Sequence, residues 1–69
     1  MTKEQLNLIN GLLASARDAA KLRDERTDKV ISMYCAGQSR GLWLVARRVM
    51  SNHGHKKADI DRICGVKAP

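Results

Sequence analysis

Cys35, His53, His55 and Cys64 are the side chains in this sequence best suited to bind a metal or attack an electrophile. Structural zinc sites draw their ligands in close pairs, C-x₂₋₄-C or H-x₃₋₅-H, so that neighbours on one turn face one ion. Here the only close pair is His53-x-His55, and each cysteine stands alone. The spacing argues against a metal site and leaves two thiols and two loop histidines. A Cys–His nucleophile fares no better. Cys64 falls at the C-terminus of an expected helix, where the dipole opposes a thiolate, Cys35 lies near another such end, and no third residue is spaced to orient a base. Asp59 and Asp61 are two apart, so on a helix they point to different sides and make a poor acid–base pair. No enzymatic activity, metal or cofactor is expected.

Phosphate is the next chemistry to weigh. Gly37-Gln38-Ser39-Arg40-Gly41 puts two glycines around a serine but lacks the Lys-Ser/Thr of a P-loop and follows no strand. Its residues are accounted for by a turn between helices, with Gly37 as a C-cap and Ser39 as an N-cap. The basic residues carry more information. The chain has net charge +6, unevenly spread. Residues 1–29 hold six basic against five acidic side chains, whereas residues 38–58 hold Arg40, Arg47, Arg48, Lys56 and Lys57 with no acid. Such a single-sign cluster raises the local potential and favours a polyanion or an acidic protein surface. These five could neutralise duplex phosphates without reading sequence. One Trp and one Tyr are too few for a base-stacking platform.

Two stretches are similar to pieces of a helix-turn-helix: Tyr34–Ser39 with Val45-Ala46 beyond, and Ala58–Val66. In the first, the spacing from Gly37 to Val45-Ala46 is about two residues too long. The second reaches Pro69 where a recognition helix would begin. Neither covers the motif, and no family is assigned. Trp43 has two readings: the largest piece of a thin core, or, beside Arg47, an interface anchor of the type enriched at binding hot spots.

Helices must position these residues, because no β-alternation appears. Thr2-Lys3-Glu4-Gln5 has the form of a capping box. Leu6, Ile9, Leu13, Ala16 and Ala20 then recur at steps of three and four along one face, across a glycine at position 11 that could let another helix come close. This seam can serve the chain's own core or a dimer contact, which marks Leu6, Ile9 and Leu13, with Trp43, as candidate protein-interface residues. The polar run 23–29 predicts a break near Thr27. A second helix is expected over about 28–36, with Val30, Ile31, Tyr34 and Cys35 inward. A third, over about 40–52, would turn Leu42, Val45, Ala46 and Val49 inward. A fourth, over about 56–64, would end in a Schellman turn at Gly65-Val66.

At 69 residues the chain is one domain at most, and cores of this size contribute roughly 3–5 kcal/mol. The expected fold is all-α, a small bundle of three to four short helices over residues 1–66 with a tail at 67–69. A monomer using the seam internally competes with a homodimer. No transmembrane run and no secretory leader is visible, and two isolated cysteines fit reduced thiols in a cytoplasmic protein. Two functional classes remain. One is a small basic regulatory protein that binds nucleic acid through Arg40, Arg47, Arg48, Lys56 and Lys57. The other is a protein-binding regulator (an inhibitor, antirepressor or adaptor, as mobile elements carry) that docks a helix face on an acidic partner.

Overall fold

A computed structural model describes residues 2–69, and these form three helices: α1 (Lys3–Glu25), α2 (Lys29–Asn52) and α3 (Lys57–Cys64). Met1, part of the expected domain, lies outside the described residues. The first helix starts as its sequence requires. The Thr2 backbone N–H donates to Gln5 Oε1 at 3.1 Å, and the Gln5 N–H donates to Thr2 Oγ1 at 3.2 Å, closing the capping box. α1 ends at Arg26, and Asp28 caps α2, its carboxylate accepting from the N–H groups of Val30 and Ile31. The expected break near Thr27 is therefore real.

The expected break at Gly37–Ser39 is not. α2 runs unbroken through residues 37–41, and among the described residues positive φ occurs only at Gly54 and Gly65. Ser39 is not an N-cap. It is fully buried, and its hydroxyl donates to the Ala16 carbonyl at 2.7 Å. A mid-helix carbonyl keeps a second lone pair after its own helical bond, so it can accept this one. The small side chains of Ala16, Ala19 and Ala20 open the space for that approach. α1 and α2 thus form an antiparallel hairpin, tied also by Ser32 Oγ donating to the Arg23 carbonyl and by Gln5 Nε2 meeting His53 Nδ1.

Continuity sets which way α2 is turned. Its inward line is Cys35, Ser39, Trp43, Ala46 and Met50. Of the four residues expected inward in its first half, only Cys35 is buried. Val30, Ile31 and Tyr34 face solvent, as does Val45. The core joins Ile9, Leu13 and Ala16 of α1 to Trp43, Ala46 and Met50 of α2 and Ile60 of α3. The α1 seam is thus used internally. Gly11 meets nothing within 4 Å, so no helix exploits it for close approach within the chain.

The turn between α2 and α3 carries the Schellman motif expected at Gly65. Gly54, at φ 82°, donates to Ser51, and His55 donates back to Met50. Gly65 instead has φ 88° and ψ 158°, a backbone region open essentially to glycine alone, and it steers the chain out of α3. Residues 67–69 are held rather than loose. Ala68 packs on the core, and the Pro69 carbonyl accepts from Arg23 at 3.1 Å. No helix among the described residues is long and apolar enough to cross a membrane.

Candidate nucleic-acid interface

Trp43 and Arg47 stand one turn apart on α2, so they present to the same neighbour. That neighbour is the C-terminal end of α3. Trp43 Nε1 donates to the Cys64 carbonyl at 2.9 Å. The Arg47 guanidinium donates to the Gly65 carbonyl and to Asp61 Oδ1, both at 2.7 Å, and lies 5.1 Å from the Trp43 ring centroid. The last carbonyls of a helix have no intrahelical partners, and its C-terminus is electronegative. Two α2 side chains, one of them a cation, therefore cap α3 and clamp it down.

This clamp divides the candidate basic residues. Arg47 is half-buried and engaged in the fold. Arg40, Arg48, Lys56 and Lys57 are exposed, and none of the four makes an ion pair among the described residues. Arg48 lies about 100° round the helix from Arg47, away from the clamp. With Leu44, Ser51, His55 and Lys57 it borders an open cleft of about 370 Å³ between α2 and the start of α3. Lys56 precedes Lys57 as the N-cap of α3. Arg40 sits two turns up α2 from Arg47, on the same side. Asp59 in the first turn of α3 is drawn off by Arg62 at 3.3 Å. Two free cations, Arg48 and Lys57, thus line the cleft beside a helix N-terminus, with the engaged Arg47 at its wall, an arrangement suited to phosphate oxygens. Ser51 and Leu44 complete it. Nothing in their local sequence marked them, because α3 alone brings the second wall.

The other candidates take structural places. Ile9 and Leu13 are buried in the core, Trp43 is 9% exposed, and Leu6 at 40% is the one candidate protein-interface residue on the surface. Both cysteines are free thiols, Cys35 buried and Cys64 half-buried, and His53 sits against Gln5. No three His, Cys, Asp or Glu side chains converge among the described residues.

Burial pushes the Cys64 thiol above the ordinary thiol range, and Arg47 offsets this only in part. The folded chain therefore holds a proton that the unfolded chain gives up as pH rises through the ordinary thiol pKa of about 8.5, so stability falls above that pH. The urea midpoint should drop between pH 7 and 9.5, and Cys64→Ala should flatten that drop. An identical pH dependence in Cys64→Ala would show that another group is responsible.

No family of known proteins, no curated protein and no solved structure matches this chain.

Proposed function

We propose that the protein is a small, non-enzymatic regulator that binds nucleic-acid duplexes by their phosphate backbone, through Arg40, Arg48, Lys56 and Lys57 around the α2–α3 cleft. The observation that supports this is the set of four exposed cations without acidic partners, with Arg48 and Lys57 on the cleft, Lys56 beside it and Arg40 further up α2. Arg47, a candidate on sequence grounds, is excluded from the set by its bonds to Asp61 and Gly65. Four phosphate contacts release counterions with a log–log salt slope of about −0.9 each, or roughly −3.6 in all on B-DNA. A five-contact site would approach −4.5.

The test is anisotropy of a labelled DNA duplex across a salt series. The expected slope is near −3.6. It should fall by about three contacts' worth in an Arg40→Gln, Lys56→Gln, Lys57→Gln chain, and affinity should be nearly indifferent to sequence. No binding at low salt, or a slope unchanged in the triple variant, refutes the proposal. A second reading, a regulator that docks a helix face on an acidic partner protein, draws support from Leu44 and Val45, which lie exposed beside Arg48.

A further inference from the structure

α2 is apolar on two opposite sides. One side is the line from Cys35 to Met50 that packs in the core. About 180° round the helix lie Val30, Met33, Tyr34, Leu44 and Val45, all exposed, with Val30 at 76% and Tyr34 at 71%. Between the two apolar groups sit Gly37 and Gly41, one turn apart on the same stripe. A Cβ added at either would meet nothing within 4 Å. Each glycine costs about 1 kcal/mol of helix stability relative to alanine, and nothing inside the chain uses the room they leave. A bare backbone flanked by large apolar side chains is the form of a site where a second helix comes close.

The stripe also has a symmetry. Reflected about Ser39, Met33 and Tyr34 exchange with Leu44 and Val45, Gly37 exchanges with Gly41, and Val30 exchanges with Arg48. A two-fold contact requires this of a surface: if residue i of one copy meets residue j of the other, then j meets i. Arg48 is the single charged residue on the stripe, and the same reflection sets its long apolar stem opposite Val30 of the other copy. Five side chains of this size and exposure offer on the order of 500–600 Å² per copy. That is near the lower end of what a specific interface takes from each partner.

We propose that the outer face of α2 pairs antiparallel with the same face of a second copy of this chain, crossing at Gly37 and Gly41. Met33 and Tyr34 of each copy pack on Leu44 and Val45 of the other, and the Arg48 stem covers the second copy's Val30. The α1 seam proposed from sequence as a dimer contact is not this surface, since it is occupied inside each chain. α3 lies to one side of the stripe, so a two-fold perpendicular to α2 sets both basic clefts on the same side of the dimer. Arg40, Lys56 and Lys57 remain free there while Arg48 is engaged, so the four-contact salt slope is that of the monomer and a paired copy keeps three contacts, or roughly −2.7.

Sedimentation equilibrium of the full chain without nucleic acid tests this independently of any duplex binding. A dimer with Kd of roughly 10–100 μM is expected. In a Gly37→Gln, Gly41→Gln chain the side chains hold the backbones apart, and Kd should rise at least about tenfold. Glutamine is the better helix former, so the Tm of that variant at high dilution should hold or rise. Register is read by cross-linking in a Cys35→Ala, Cys64→Ala background. A mixture of Met33→Cys and Leu44→Cys chains should form disulfides between them faster than either chain forms them alone. A wild-type monomer at several hundred micromolar, a glutamine variant that dimerises as well as wild type, or equal self-linking by each cysteine chain overturns the proposal.

Discussion

Trp43→Ala is expected to leave the chain without a stable native state at 25 °C. Truncating a buried tryptophan costs about 3–5 kcal/mol, and cores of this size contribute roughly that much in total. Trp43 is the one aromatic residue in the core, part of one buried cluster with Ile9, Leu13, Ala16, Ala46, Met50 and Ile60. Its indole also holds the Cys64 carbonyl, which the alanine would leave without that partner. Far-UV circular dichroism against urea reads the result. Wild type should show a cooperative transition, and Trp43→Ala a shallow loss of helix with little or no pre-transition baseline. Trp43→Phe keeps most of the volume but loses the N–H, so it should fold with a midpoint lowered by the equivalent of about 1–3 kcal/mol. If Trp43→Ala melted cooperatively within about 1 kcal/mol of wild type, α3 and its clamp would contribute little to the fold.

Arg47→Met is the second large effect, and it is local. The variant keeps a long apolar stem over Trp43 but removes both 2.7 Å bonds, leaving the half-buried Asp61 carboxylate and the Gly65 carbonyl without their donor. Hydrogen bonds to charged groups contribute about 1.5–3 kcal/mol each, so a loss of roughly 2–4 kcal/mol is expected, concentrated on α3. Native-state hydrogen exchange should show residues 57–66 losing protection while the α1–α2 hairpin keeps most of its own. Arg48→Ala, one residue along, should change monomer stability by less than about 0.5 kcal/mol, because that side chain is exposed and unpaired. Equal stability losses in the two variants would contradict the division of the basic cluster into a structural Arg47 and a free Arg48. The pair also guards the binding test: a loss of duplex affinity in Arg47→Met would reflect a displaced α3 wall, not a lost phosphate contact.

The two arginines show why the candidate site was only partly legible. Residues 38–58 display their lack of acid openly, and the four free cations come from that window. What removes Arg47 from the set is Asp61 and Gly65, 14 and 18 residues away. No local spacing encodes that meeting. It depends on how α3 folds back over α2. The cleft behaves likewise, since one wall is α2 and the other begins at Lys57.

The first helix and its seam could be read from the residues, because both rest on short-range physics. The capping box closes over three residues, and Ile9, Leu13, Ala16 and Ala20 are brought to one side by helix geometry alone. The all-helical class, the break before Asp28 and the end of α2 near Asn52 follow from the same local rules. The path through Gly37 to Ser39 did not. Cap preferences there are worth about 1 kcal/mol, and they were overridden once Ser39 found a buried carbonyl on α1 and Trp43 a place in the core four residues on. α2 is apolar on both sides, so its periodicity could not say which side would face α1. Packing against three small alanines chose the Ser39 side, and that choice turned Val30, Tyr34 and Val45 outward. Propensity and spacing set which stretches become helical, but not that the two expected over 28–36 and 40–52 join as one. The rotation of α2, the capture of Arg47 and the stripe left in solvent were decided by contacts between residues far apart in the chain.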